Sequence, residues 1–198
     1  MSGPGATAVG IKTKEGVVLA AEKRMSYGGF IMSKAIRKVF KVGDRMGMAC
    51  AGLYADMQAI ARMLEIEVRY YELSNKRKMK VRSAARMLGL YLYSNKLFPL
   101  LTETIFGGYD TEPRIFVLDP VGSVIEERYS AAGTGAPLAM ALLDKNYRED
   151  MTLEEAKNLA IEAIKIASMR DSLSGDGIDV LLIPLGGKPQ IEFVPIEQ

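Results

Sequence analysis

The chain has 198 residues, with 26 Lys and Arg against 24 Asp and Glu for a net charge of +2, and it is 48% hydrophobic and 25% charged. This is the composition of an ordinary globular protein, with room for one well-buried domain or at most two small ones. It excludes a strong field for nucleic acid or anionic lipid, and no apolar run approaches the ~18 residues of a membrane span.

The single cysteine, Cys50, excludes an internal disulfide and fits a reducing, cytoplasmic compartment. The chain has no histidine. That removes Ser-His-Asp and Cys-His catalysis within it and every His-containing zinc site, while one thiolate cannot cage a metal. Any base or proton shuttle has to be Lys, Asp, Glu, Tyr or a terminal amine. No cofactor is called for: Gly107-Gly108 and Gly186-Gly187 match no phosphate-loop spacing.

Residues 1–5 are too few and too polar for a signal peptide, which needs an apolar run of about 7–15 residues. Ala6 to Thr13 reads as a strand, Lys14-Glu15-Gly16 as a tight turn and Val17 to Ala21 as a strand covered on both faces, so the three form a hairpin. Glu22 and Arg24 end it with charge. Tyr27-Gly28-Gly29 is a turn, Phe30 to Ser33 is extended, and Lys34 to Lys41 mixes basic and apolar residues. Gly43-Asp44 turns the chain into a buried strand, Met46 to Gly52.

From Leu53 the period changes. Met57, Ile60, Ala61, Leu64, Val68 and Tyr71 predict an amphipathic helix to about Leu73. A basic turn, Asn75 to Lys80, leads to a second helix over Val81 to Lys96, ended by Phe98-Pro99. Strands follow at Glu103–Gly108, Arg114–Asp119 and Val124–Ser130, then a helix over Pro137–Tyr147. Thr152 to Glu155 has capping-box spacing and opens a helix striped by Leu153, Ala156, Leu159, Ala160, Ala163, Ile164 and Ala167. Arg170 to Gly177 is a polar loop, and Ile178–Leu185 with Gln190–Pro195 closes the chain as a hairpin through Gly186-Gly187. Two strand groups, each followed by a helix pair, predict an α+β fold of two packed sheets with a helix layer outside each. No linker, repeat or low-complexity stretch divides it, which predicts one domain.

Three groups of polar residues are candidates for chemistry. Lys38 reads either as a solvated lysine on a basic strand edge or as a lysine held by a carboxylate such as Glu22, with its pKa lowered for proton transfer. The stretch Arg170 to Gly177, with Asp171 and Ser174, reads as a helix end capped by its own side chains or as a shell orienting an active group. Gly133-Thr134-Gly135 is a plain helix entry or a wall of the same cleft. Cys50, between two alanines, reads as a small buried hydrophobe.

Taken together, Ala-Thr-Ala-Val-Gly-Ile (6–11), Gly-Val-Val-Leu-Ala-Ala-Glu-Lys-Arg (16–24), Lys38, Ala-Gly-Leu-Tyr-Ala-Asp (51–56), Phe-Gly-Gly-Tyr-Asp (106–110), Gly-Thr-Gly (133–135) and Arg-Asp-Ser-Leu-Ser-Gly-Asp-Gly-Ile-Asp (170–179) resemble, in order and spacing, the proteasome β subunits of archaeal type. The resemblance covers nearly the whole chain. It implies a four-layer αββα sandwich of the N-terminal-nucleophile hydrolase type, with residues 1–6 as a short propeptide-like segment and 7–198 as the β-type domain. It also implies a seven-membered β ring, doubled and stacked between α-subunit rings, with a regulatory ATPase reached through the α ring and unfolded proteins as substrates. The family are threonine peptidases. Removal of a propeptide exposes a threonine whose amine serves as base.

Carried over by position, Lys38 is the lysine beside the nucleophile and Glu22 its acidic partner. Asp171 and Ser174 orient the terminal amine and its water, Thr134 stands where the family commonly has Ser and still offers a hydroxyl, and the Gly52 amide stabilises the oxyanion. Met25, Ile36, Phe40, Cys50 and Tyr54 line an apolar pocket for the residue before the cleaved bond. At the centre the chain departs from the family. Ala6 falls on the nucleophile position, and Thr7 is one step out of phase on a strand whose side chains alternate. Three readings stand: an inactive or precursor-like paralogue, a Thr-to-Ala form made to block self-cleavage, or cleavage after Ala6 with Thr7 acting through a one-residue bulge or slip.

Overall fold

The computed structural model describes residues 5–196; residues 1–4 of the propeptide-like segment, and 197–198, lie outside them. In chain order the strands are β1 (Thr7–Thr13), β2 (Gly16–Glu22), β3 (Met25–Tyr27), β4 (Phe30–Ser33), β5 (Val39–Val42) and β6 (Met46–Gly52). Helices α1 (Tyr54–Asn75) and α2 (Val81–Ser94) follow, then β7 (Thr102–Tyr109), β8 (Pro113–Leu118), β9 (Val124–Glu127) and β10 (Tyr129–Gly133). Helices α3 (Ala136–Asn146) and α4 (Leu153–Ser168) precede the closing hairpin of β11 (Ile178–Pro184) and β12 (Gln190–Val194).

Two antiparallel five-stranded sheets result, ordered β10-β1-β2-β11-β12 and β5-β6-β7-β8-β9, with β3 and β4 as a separate ribbon. Alternation of side chains sorts their residues into three layers. Ala6, Ala8, Val17, Leu19 and Ala21 of the first sheet meet Val39, Ala49, Ala51, Ile105 and Ile115 of the second. The other face of the first sheet, with Val9, Ile11, Val18 and Ala20, packs under α3 and α4. Met46, Met48, Phe106 and Phe116 of the second sheet pack under α1 and α2. The architecture is the expected αββα sandwich.

Packing, more than capping, holds the outer helices. The α1 N-cap, Leu53, makes no side-chain cap bond, and such a bond contributes about 1 kcal/mol. Met57, Ile60, Leu64 and Val68 are fully buried, at roughly 1.5–3 kcal/mol each, so the packed face decides the helix. In α4 both arms of the capping box form. The Glu155 N–H donates to Thr152 Oγ1 at 3.1 Å, and the Thr152 N–H donates to Glu155 Oε2 at 2.8 Å.

The expected strand over Val124–Ser130 is corrected. It is two strands in different sheets: β9 pairs β8, and β10 pairs β1. The chain crosses between sheets at Arg128, where Tyr129 leaves to stack on Tyr147 at 4.6 Å between ring centroids. The run from Val124 to Ser130 contains no glycine or proline, so the sequence carries no mark of the sheet change. The β1–β10 register sets Thr7 opposite Gly133, β11–β2 sets Ile178 opposite Glu22, and the Cys50 N–H donates to the Lys38 carbonyl at 2.9 Å. The start of β1, the end of β2, the entry to β5, the β10–α3 turn and the α4–β11 loop therefore meet at one end of the sandwich.

Candidate active site

Glu22 and Lys38 form a buried ion pair at that end: Glu22 is fully buried, and Lys38 is 2% exposed. The solvated reading of Lys38 does not hold. All four acceptor positions of the Glu22 carboxylate are used. Oε1 accepts from the Lys38 ammonium and from the Thr7 N–H at 3.4 Å. Oε2 accepts from the N–H groups of Arg24 at 2.7 Å and Gly175 at 3.2 Å. Burial pushes the Glu22 carboxyl above its ordinary range, against the pull of Lys38 and the two amides. Burial likewise lowers the Lys38 ammonium, against the pull of Glu22. Both shifts narrow the gap between proton donor and acceptor, which is what a proton-transfer pair requires.

Thr7 is fully buried. Its Oγ1 lies 2.7 Å from Ser174 Oγ, and Ser174 donates its proton to Asp171 Oδ2 at 2.6 Å. A hydroxyl has one proton, so with the Ser174 proton committed to Asp171, Thr7 is the donor in the first bond. A hydroxyl–hydroxyl–carboxylate relay runs from Thr7 to Asp171. Asp171 Oδ2 also accepts from Thr134 Oγ1 at 2.6 Å, and Asp171 Oδ1 accepts from the Leu173 N–H at 3.1 Å. Thr134 accepts the Ala6 N–H at 3.2 Å, while the Ala6 carbonyl takes the Gly135 N–H at 3.3 Å.

The alternation expected of β1 is present. Ala6 joins the layer between the sheets, and Thr7 lies on the opposite face, with Val9 and Ile11 in the layer beneath α3 and α4. From Thr7 onward β1 pairs with β10 and β2 without a bulge. Lys38 arrives from the second sheet, and Ser174 with Asp171 from the loop after α4. Glu22 joins the two halves, because its Oε1 meets both Lys38 and the Thr7 amide. Lys38 therefore reaches Thr7 through Glu22.

Gly135 allows Thr7 its position. A Cβ there would stand 2.0 Å from Thr7 Oγ1 and 3.0 Å from Ala167 Cβ, although the backbone (φ −86°) suits any residue. Gly135→Ala is expected to cost about 1–3 kcal/mol by overpacking, and combining it with Thr7→Ala should recover most of that. A double-mutant cycle by denaturant unfolding checks it; additive losses would show that the two positions do not press on each other.

The remaining residues separate into two groups. Phe40 and Tyr54 pack against the cluster under α1 and α2 that contains Cys50, whereas Met25 lies on the β3–β4 ribbon and Ile36 follows it, with its N–H on the Lys23 carbonyl at 3.2 Å. Gly52 ends β6 opposite Thr102. Cys50 is fully buried, 3.7 Å from Thr104 Oγ1, and burial pushes its thiol up to about 12 from 9.0. The folded pKa is raised, so the stability Cys50 contributes is full below pH 9 and is lost as pH rises toward 12. Relative to Cys50→Ala, the wild type is expected to lose about 2–3 kcal/mol more between pH 8 and pH 11. Urea midpoints at the two pH values measure this, and parallel losses would contradict it. Sequence reasoning missed the amides of Arg24 and Gly175 on Glu22 and the backing of Thr7 by Gly135. Their signal was the glycine spacing of 133–135 and 175–177, and a pairing partner for Glu22 that only the fold supplies.

The fold, two antiparallel sheets between two helix layers, is that of an N-terminal-nucleophile hydrolase. Residues 4–183 match the family described as "Proteasome subunit". The chain is 85% identical to proteasome subunit beta 1 of Ignicoccus hospitalis over 197 residues, the full length of both. It is 51% identical to proteasome subunit beta 1 of Hyperthermus butylicus over 183 residues, 91% of this chain and 90% of that one. It is also 51% identical to proteasome subunit beta 2 of Pyrobaculum neutrophilum over 189 residues, 95% and 93% of the two chains. The chain belongs to the proteasome family of threonine peptidases, as a β subunit of the core particle of archaeal type, and it assembles with other proteasome subunits. Among the described residues no helix is long and apolar enough to cross a membrane.

Proposed function

We propose that this subunit carries out threonine-type peptide hydrolysis inside the particle, with Thr7 as its nucleophile once the Ala6–Thr7 bond is opened, so that 1–6 is the propeptide and 7–198 the mature domain. The observation that carries this is the convergence of the site on Thr7: its amide nitrogen is held at Glu22 Oε1, and its Oγ1 donates into Ser174 and Asp171. Opening that bond places a free amine beside the Glu22–Lys38 pair. The Thr7 oxygen then adds to a peptide carbonyl as its proton passes to Ser174 and on toward Asp171. The peptide C–N bond breaks as the leaving amine takes that proton back through Ser174, and water cleaves the resulting ester, its one proton restoring the Thr7 hydroxyl and its OH completing the carboxylic acid product. Gly52 supplies an amide to the oxyanion, and Thr134 orients Asp171. The family resemblance supports Met25, Ile36, Phe40, Cys50 and Tyr54 as the lining of an apolar pocket that favours hydrophobic side chains, although Cys50 itself is fully buried.

We infer that this chemistry takes place in a seven-membered ring, doubled between α-subunit rings, with unfolded proteins delivered by an ATPase docked on the α ring; family membership supports this reading. Assembled with an α subunit, the protein is expected to cleave hydrophobic fluorogenic peptides and to discriminate against acidic ones. A second reading is a non-hydrolytic ring subunit. The full burial of Thr7, on the α4 side of an unbroken β1 register, favours it. Under that reading a particle with this chain as its sole β subunit cleaves no peptide at all.

A further inference from the structure

We propose that Arg24 is a positioning residue for the site, clamping the 171–177 loop to the Glu22 carboxylate so that Ser174 stays in contact with Thr7. Its backbone N–H donates to Glu22 Oε2 at 2.7 Å. Its guanidinium spans the loop on the other side: Nε donates to Asp176 Oδ2 at 2.7 Å, Nη2 to Asp176 Oδ1 at 3.3 Å and Nη1 to the Ser172 carbonyl at 2.9 Å. One residue thus holds both the acid of the Lys38 pair and the loop that carries Asp171 and Ser174.

The loop is shaped to receive it. A Cβ at Gly175 would lie 2.5 Å from Arg24 Nη2, so a side chain there would push the guanidinium from its place across the loop. Asp176 takes φ 71°, a left-handed conformation uncommon for a residue with a side chain, and such a conformation persists where surrounding contacts hold it. The forked contact with Arg24 is such a hold, and both partners are shielded, with side-chain exposures of 13% and 2%. Two backbone bonds extend the clamp: the Lys23 N–H to the Gly175 carbonyl at 3.2 Å, and the Gly175 N–H to Glu22 Oε2 at 3.2 Å. Lys34 Nζ stands 3.8 Å from Asp176 Oδ1 but is largely exposed, and a point charge there cannot reproduce the planar fork. Arg24 touches neither Thr7 nor its hydroxyl, so its effect passes through the loop.

The inference rests on the reading of Thr7 as nucleophile, and the experiment separates the two. In the assembled particle, Arg24→Lys keeps the charge and loses the fork. The expected result is a fall in kcat for a hydrophobic peptide of about 10–100-fold, from misplacement of Ser174 by a fraction of an ångström, with KM within about twofold and particle size unchanged. Hydrogen–deuterium exchange of the segment 171–177 should rise together with it. Asp176→Asn should act in the same direction, and the double variant should add little; these two variants keep the test open where Arg24→Ala fails to assemble. Wild-type kcat, or wild-type exchange in 171–177, overturns the proposal. Thr7→Ala is measured alongside: if it leaves turnover unchanged, the reading of Thr7 has failed, and the exchange of 171–177 alone then upholds or overturns the clamp.

Discussion

In a particle whose β ring is built from this chain, Thr7→Ala is expected to lower turnover of a hydrophobic peptide by at least about 10³-fold, as loss of a nucleophile does elsewhere, while Thr7→Ser keeps a measurable rate. The relay explains why no neighbour substitutes. Ser174 is the nearest hydroxyl, but its proton is committed to Asp171 and its oxygen is the acceptor for Thr7. Thr134 is tied to Asp171 and to the Ala6 amide. Removing the Thr7 hydroxyl leaves one buried acceptor on Ser174 unfilled, at about 1–3 kcal/mol, too little to unfold a domain of this size. Assembly should therefore survive and the loss should be catalytic. Undiminished turnover in Thr7→Ala would assign the chemistry elsewhere and leave this chain a scaffold.

Lys38→Met is expected to cost about 3–5 kcal/mol of stability near neutral pH, because it leaves the Glu22 carboxylate buried without its counter-charge, and to abolish turnover with it. The pH dependence identifies the cause. Without Lys38, Glu22 titrates still higher in the folded chain than burial already sets it. A folded pKa raised above the unfolded value gives stability that is full below the unfolded pKa and lost as pH rises through the folded one. The deficit of Lys38→Met against wild type should therefore be smaller at pH 5 than at pH 8. Glu22→Gln in the same chain should return most of the stability and none of the activity. A deficit equal at both pH values, measured by denaturant unfolding, would mean that lost packing around the lysine stem is the cause.

The sandwich was legible because its signals are local. Small and β-branched residues fill β1 and β2, the stripe from Met57 to Val68 marks α1, and the Thr152–Glu155 box marks the start of α4. The division of Val124–Ser130 between two sheets was not legible, because no glycine or proline marks Arg128 while the pairing partners change. At the site, residue types and order were readable, and with them the family. Contacts were not: Thr7 and Ser174 are separated by 167 residues in sequence, and the burial of Lys38 depends on the second sheet closing over Glu22. The phase problem at Ala6 and Thr7 was visible once the family resemblance put Ala6 on the nucleophile position and the strand period turned Thr7 to the other face. The sequence could not reveal that Ser174 and Asp171 arrive on Thr7's own face, since that follows from the α4–β11 loop lying on the helix side of the first sheet.

The most direct measurement is the intact mass of the subunit taken from assembled, active particles. The expected mass is that of residues 7–198, with Thr7 as the first residue. A mass beginning at Met1 or Ser2 in particles that cleave peptides would contradict it.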